Sequence, residues 1–280
     1  MSGSATAPAS SANLGPAFDC IAVAFDLWCR VEAEPSEAWE ITEEGRTYEP
    51  APETLVVRSA IAAGAERPHR LRIDSEIPRA RGLGSSAAVA TATAAAVRRA
   101  AGAEPENDEL FALVAALEGH ADNAAAAVYG GLVATAGPLV RRLEVAPHLV
   151  FLVAVPDEPL ATEAARGVLP ADVPREAAVR NLGRAVFLAE GLRSGDREAF
   201  VGAAGDELHE MHRGLLAPRS GELMEAARAA GALHAAWSGA GPSVLAVVAG
   251  PERDAVHAAL EGVLGATGRV LAPAVAGGWR

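Results

Sequence analysis

No lysine occurs anywhere in the 280 residues, and all 24 basic side chains are arginine. That absence removes Schiff-base chemistry, attachment of pyridoxal phosphate and every nucleotide loop that needs its own lysine. An arginine-biased coding genome explains the composition, and the chemical exclusion holds either way. Cysteine is almost absent too: Cys20 and Cys29 stand nine residues apart, without a surrounding cluster of ligand residues. A zinc site is therefore not expected, and both read as ordinary buried thiols of a reducing compartment. No stretch reaches the roughly 18 uncharged apolar residues of a membrane span. The start, Met1-Ser2-Gly3-Ser4-Ala5, has neither a basic region nor an apolar run, so a soluble, cytoplasmic protein with no membrane partner is expected. Positive charge is also short, with 36 acidic residues against 24 basic ones and a formal charge of −12. Such a field repels phosphate backbones, and Arg79/Arg81, Arg98-Arg99 and Arg141-Arg142 are too short to make a binding stripe. No nucleic-acid partner is expected.

What is present is ample apolar material, 50% of the chain, enough for one large domain or two small lobes. Residues 71–78 alternate as a half-buried strand ended by Pro78, and an alanine-rich helix runs from Ala87 to about Ala101. A second helix is expected over 108–118, with Asp108 as its N-cap, and a central strand over 149–155. Helices follow at about 174–193, 196–213 and 219–231. Strands at 232–237 and 243–249 flank a glycine turn, and a helix at 251–264 leads to a strand at 268–275. Irregular alternation with tight turns predicts a mixed α+β fold rather than a doubly wound parallel sheet. Pro138 and Pro147 bracket a short basic strand, and the expected lobes are residues 1–145 and 146–280.

Four segments carry chemistry. Pro78-Arg79-Ala80-Arg81-Gly82-Leu83-Gly84-Ser85-Ser86-Ala87-Ala88 is a strand end, a glycine loop and a helix start with two hydroxyls. Glycines allow close backbone approach, and free amides at a helix N-terminus face an anion. Ser85 and Ser86 can reach phosphate oxygens or Mg²⁺. A Rossmann fingerprint fails because its third glycine position is Ala87, and a Walker loop fails for want of lysine. A serine-capped helix after a turn remains the plain alternative. Residues 7–19, which include Asn13 and Asp19, are either a frayed polar start or a Gly/Pro turn presenting side chains to a ligand. Glu118-Gly119-His120-Ala121-Asp122-Asn123 could serve a metal, a proton transfer or a charged substrate, or be a solvated helix end. Ser238-Gly239-Ala240-Gly241-Pro242 by itself reads as a hairpin turn.

Taken together, in this order and spacing, the four segments resemble the motifs of the GHMP kinase family. The matching stretches are Pro-x-Ser-Ser-Ala-Asn-Leu-Gly-Pro-x-Phe-Asp at 8–19, Pro-x-x-x-Gly-Leu-Gly-Ser-Ser-Ala-Ala at 78–88, and the turn at 238–242. Glu-Gly-His-x-Asp-Asn at 118–123 with Tyr129-Gly130-Gly131 looks like the homoserine kinase branch. So do Ala161-Thr162-x-x-x-Arg166 with Leu169-Pro170, and His209-Glu210-Met211-His212-Arg213. The resemblance implies a two-lobed α+β fold, with a ribosomal-protein-S5-domain-2-like N-terminal lobe and a ferredoxin-like C-terminal lobe. It implies ATP and Mg²⁺, with the phosphates on residues 78–88, adenine near Thr54, and the metal between Ser86 and Glu118. It implies L-homoserine as the small-molecule partner, phosphorylated on its hydroxyl in threonine biosynthesis, and it leaves a homodimer open. The substrate pocket would comprise Asn13, Asp19, His120, Asp122, Thr162, Arg166 and Arg213. Arg166 and Arg213 would clamp the carboxylate and Asp19 would meet the ammonium, while Asp122, Asn123 and Arg166 would act at the reacting hydroxyl.

Several positions depart from the family pattern: Ala17 for glycine, Thr54 for asparagine, Ala161 for serine and Met211-His212 for Pro-Tyr. A kinase for another small hydroxy compound, such as pantoate or shikimate, and a catalytically dead GHMP-fold binding protein are the alternatives.

Overall fold

The beginning of the 7–19 run, for which a frayed polar start and a ligand-presenting turn are the two expectations, falls in a ten-residue strand, β1 (Gly3–Ala12), whose second half is wholly buried. The reason is side-chain size. The computed structural model, which describes residues 1–280, lays the alanine-rich helix directly over this strand. A Cβ at Gly3 would sit 2.1 Å from the carbonyl oxygen of Ala96, a spacing only small residues allow.

The N-terminal lobe continues with β2 (Ile21–Pro35), β3 (Glu40–Glu43), β4 (Arg46–Tyr48), α1 (Leu55–Ala62) and β5 (His69–Ser75). It is completed by α2 (Ser85–Ala100), α3 (Asn107–Glu118), α4 (Ala121–Tyr129), β6 (Leu132–Ala136) and β7 (Leu139–Leu143). The fifteen-residue β2 organises a seven-stranded sheet, pairing with β1 along most of its length and with β5 and β6 on its other edge.

The second sheet begins at β8 (Leu149–Pro156). After it come α5 (Thr162–Gly167), α6 (Arg175–Ser194), α7 (Arg197–Gly202), α8 (Glu210–Arg213), α9 (Pro218–Ala229), β9 (His234–Trp237), β10 (Val244–Ala249), α10 (Arg253–Leu264) and β11 (Gly268–Leu271). Its antiparallel order, β11-β8-β10-β9, is the ferredoxin-like arrangement. Alternation along β8 joins the lobes. Leu149, Phe151, Val153 and Val155 enter the large core shared with the first sheet. Leu152 and Ala154 turn instead to a smaller core under α9 and α10. The mixed α+β, two-lobed fold is as expected.

Several boundaries differ from the sequence reading. α2 starts at Ser85, two residues earlier than periodicity suggested, because left-handed Gly84 serves as its N-cap. Glu106, not Asp108, caps α3; Asp108 lies in the first turn, where its carboxylate accepts from the Tyr129 hydroxyl at 2.6 Å. The helix expected over 196–213 breaks in two. Gly205 takes φ +88°, and Asp206 then accepts the amides of Leu208, His209 and Glu210, opening the short α8. The last strand stops at Leu271, and residues 274–280 return to the first lobe. There Thr6 and Arg280 exchange backbone hydrogen bonds, and the Trp279 amide donates to Ala127 O.

Candidate functional site

The glycine loop owes its shape to two other segments. Its Gly82 carbonyl accepts the Ser238 hydroxyl at 2.7 Å, and its Leu83 carbonyl accepts the Ser10 amide at 3.1 Å. The 8–19 segment, the loop and the 238–242 turn are thereby locked together. The first intrahelical bond of α2 is Ala88 N–H to Gly84 O, and no side chain caps the helix. The amides before Ala88 are therefore left for an anion in the cleft, which Gly82, Leu83, Gly84, Ser85 and Ser86 line. This cleft, about 460 Å³, runs along the junction of the lobes.

At one end the walls are apolar: Ile41, Tyr48, Leu55, Val56, Ile73 and Val89, with Pro78, Ala80 and Thr54 at the rim. Thr54 precedes α1 and spends its hydroxyl on Ala51 O at 2.9 Å. Mid-cleft, the Ser86 hydroxyl donates to Glu118 Oε2 at 2.6 Å. Burial pushes the Glu118 carboxyl above the usual range, with the Ser86 bond only partly opposing it.

The other end is charged. Asn13, Leu14 and Asp19 all take positive φ, at 72°, 49° and 55°, backbone strain of the kind that accumulates at ligand-presenting turns. The Asn13 amide holds that turn, donating to Gly239 O at 2.7 Å while its oxygen accepts the Asp19 N–H at 3.0 Å. Ala17 is fully buried in the same turn, so its methyl is taken up by the core. Thr162, at the start of α5, lines the cleft beside Arg166. Arg166 forks onto Asp19 at 2.6 and 3.1 Å.

Arg213 is entirely buried, donating from Nε to Ala165 O and from Nη1 to Gly239 O, both at 3.1 Å, while Nη2 has no partner. The Phe18 ring centroid lies 5.6 Å from the Arg166 guanidinium carbon and 5.3 Å from that of Arg213, within cation–π reach of both. His120 and Asp122 complete this end. Burial lowers the His120 pKa, and the Arg166 charge adds to the effect. Asp122 is 1% exposed, and burial, reinforced by the Asp19 charge, raises its carboxyl to about 6. Asn123 is held by the Ser10 hydroxyl, which donates to its Oδ1 at 2.8 Å.

Not every anticipated residue reaches the cleft. Arg81 is turned the other way, donating to the carbonyls of Pro156 and Asp157 and tying the loop to β8. Arg79 lines the cleft but is paired with Glu43. Ala87 and Ala88 are fully buried behind the loop. Sequence reasoning missed the apolar recess, since Ile41, Tyr48, Leu55 and Val56 carry no local signal. It also missed the support under Arg213: His209 Nε2 bonds Gly15 O at 2.9 Å and its Nδ1 meets Arg213 Nη1 at 3.2 Å. With Nδ1 accepting from the guanidinium and Nε2 donating, this is a neutral imidazole, and burial holds its pKa down to about 4. Its place in the 209–213 run was the one available clue.

The raised Asp122 carboxyl has a measurable cost. The folded protein keeps this proton to about pH 6, whereas the unfolded chain releases it near 3.8. Ionising Asp122 therefore removes stability as pH rises through that window, and the loss is complete above it. Asp122→Asn is expected to exceed wild type in urea melts by on the order of 2 kcal/mol at pH 7.5 and to match it near pH 4. An equal gain at both pH values contradicts this account.

Residues 54–131 match the sequence profile of the GHMP kinases N terminal domain, and residues 188–267 that of the GHMP kinases C terminal. The chain is 39% identical over 279 residues to the homoserine kinase of Thermus thermophilus, covering 97% of this chain and 96% of that one. It is 40% identical to that of Moorella thermoacetica, covering 87% and 86%. Among solved structures, a homoserine kinase from Cytophaga hutchinsonii superposes with a TM-score of 0.88 at 27% identity, covering 100% of this chain and 96% of that one. No helix is long and apolar enough to cross a membrane. With both halves matched to the same family and the likeness running nearly end to end, the chain belongs to the GHMP kinase family, beside its homoserine kinases.

Proposed function

We propose that the chain transfers the γ-phosphoryl group of ATP to the side-chain hydroxyl of L-homoserine, giving O-phospho-L-homoserine, a step of threonine biosynthesis. One observation carries the choice of substrate: Asp19, Arg166 and Arg213 converge on one end of a cleft whose middle is the glycine loop. The Asp19–Arg166 pair holds one charge of each sign, and a zwitterionic amino acid can replace it charge for charge. Its carboxylate takes Arg166 and the free Nη2 of Arg213, and its ammonium takes Asp19. A hydroxy acid such as pantoate or shikimate would divert Arg166 and leave the half-buried Asp19 without a cation, a cost homoserine avoids.

The other roles follow from position along the cleft. Adenine fits the apolar recess near Thr54, and the phosphates fit the amides at Gly82–Ser86. Magnesium fits Ser86 and Glu118: two protein oxygens, one from a half-buried carboxylate, suit an ion that takes its remaining ligands from phosphates and water. When bound it supplies charge neutralisation at the phosphates. Asp122 and Asn123 orient the hydroxyl for in-line attack, and a loose transition state needs positioning more than a strong base. The lobes divide near 145/146, with the tail 274–280 returned to the first.

The test is ADP release from Mg-ATP with L-homoserine, in wild type and Asp19→Asn. The variant is expected to lose about 100-fold in kcat/KM for homoserine, the size of a lost charge-assisted contact in the transition state, but to be no worse on hydroxy acids. Absence of ADP with homoserine overturns the proposal, and an equal loss on both substrate classes overturns the role of Asp19.

A further inference from the structure

Three consecutive carbonyls of the 13–19 turn, those of Leu14, Gly15 and Pro16, receive no backbone amide. Each is met instead by one side chain of the second lobe. His234 of β9 donates from Nε2 to Leu14 O at 3.0 Å, and His209 from Nε2 to Gly15 O at 2.9 Å. Asn181 of α6 donates from Nδ2 to Pro16 O at 2.7 Å. All three donors are buried. A carbonyl can only accept, so both imidazoles carry a proton on Nε2. Burial holds the His234 pKa down to about 4, so near neutral pH it is, like His209, an uncharged donor.

The turn needs such support. Its ends are closed on each other, since Asn13 Oδ1 accepts the Asp19 amide. Asn13, Leu14 and Asp19 hold positive φ, which persists only where the surroundings over-determine it. Between them Phe18 stacks on His209, with ring centroids 5.0 Å apart. By sequence the turn belongs to the first lobe, yet Arg166 and Arg213, which share its end of the cleft, stand on α5 and α8 of the second. Pinned at three successive carbonyls, the turn must move with the lobe that carries the arginines. We propose that His234 and Asn181, together with His209, are positioning residues for Asp19. They fix the 13–19 turn to the second lobe, so that the ammonium site and the carboxylate site keep one spacing. This rests on the reading that Asp19 takes the substrate ammonium. The apolar recess of Ile41, Tyr48, Leu55 and Val56 is built from the first lobe alone and does not depend on these bonds.

His234→Leu tests this, because it keeps an apolar body against Phe200 and removes the donor. It is expected to lower kcat/KM for homoserine by about 10- to 100-fold, the scale of a displacement near 1 Å. The loss should fall mainly on KM for homoserine and leave KM for ATP little changed. His234→Gln, whose amide nitrogen stands where Nε2 does, should recover most of it, and Asn181→Leu should reproduce it. In an Asp19→Asn background, His234→Leu should add little, since it acts through Asp19. An unchanged homoserine KM in His234→Leu overturns the proposal. So does an equal rise in both KM values, or a loss that adds in full to that of Asp19→Asn. A crystal structure of His234→Leu decides the matter whatever the substrate. Asp19 is expected to shift against Arg166, and a turn that has not moved overturns the proposal, whereas a wild type inactive on homoserine overturns only the function.

Discussion

Gly82→Ala is expected to lower kcat/KM by about 10³-fold while leaving most of the fold in place. Gly82 sits at φ +73°, where an L residue costs about 1–2 kcal/mol. Space is the larger obstacle. A Cβ there would fall 1.9 Å from the Ser238 carbonyl oxygen and 2.8 Å from the Gly241 amide nitrogen, both backbone atoms. A side-chain rotation cannot relieve such a contact, so the loop and the 238–242 turn must separate. That separation breaks the Ser238 hydroxyl bond to Gly82 O and moves the amides before Ala88 away from their common focus. A displacement near 1 Å costs about 100-fold, and a lost anion donor another 10- to 100-fold or more. Nucleotide binding followed by calorimetry should weaken in parallel. Wild-type affinity for ATP in this variant would show that the loop does not cradle the phosphates.

Arg213→Met is expected to lose about 10³-fold in kcat/KM for homoserine with a melting temperature only a few degrees changed. Two opposing terms explain the small stability effect. Removing the guanidinium strands the Ala165 carbonyl and His209 Nδ1, at about 1–3 kcal/mol for each buried group left unpaired, while the Gly239 carbonyl keeps the Asn13 amide. It also relieves a buried charge whose pKa burial has pushed down to about 10, a gain of roughly 3 kcal/mol. Activity has no such offset, because Nη2 is buried, without a partner and beside the cleft. Truncating a buried charged partner typically costs 2–5 kcal/mol of binding, and at the upper end that is the 10³-fold expected. Arg213→Lys should recover little, since an ammonium cannot reproduce a fork that serves Ala165, Gly239 and the substrate together. A lysine variant of near-normal activity would argue that the charge alone is used.

The stretches that were legible share one property, that neighbours in sequence cooperate. Residues 78–88 announce themselves because a strand end, two glycines and a helix start are contiguous, and the run Leu149–Pro156 announces a buried strand by its own apolar content. Residues 3–12 did not read as a strand, because small and polar side chains become a buried strand only under a helix as alanine-rich as α2. The break between α7 and α8 was hidden for a related reason. Gly205 and Asp206 interrupt a helical pattern that hydrophobic periodicity would have continued. In the cleft, Ile41 and Tyr48 carry no local mark of a binding wall, and Arg81, which looked like a phosphate ligand from its neighbours, is claimed by β8.

The sequence alone determined the chemistry on offer: a lysine-free anion loop, an acidic surface, and paired acids and arginines in family order. These are properties of local composition and spacing, and they survive without knowledge of the fold. Only the tertiary structure decided which of these groups meet. Asp19 and Arg166 are 147 residues apart and share two hydrogen bonds, and Gly82 and Ser238 are 156 apart and touch. Such contacts arise because the inner face of β8 must bury its apolar residues against the first lobe, which brings α5, α8 and the 238–242 turn over the loop. That packing is a property of two sheets together, and no window of sequence contains it.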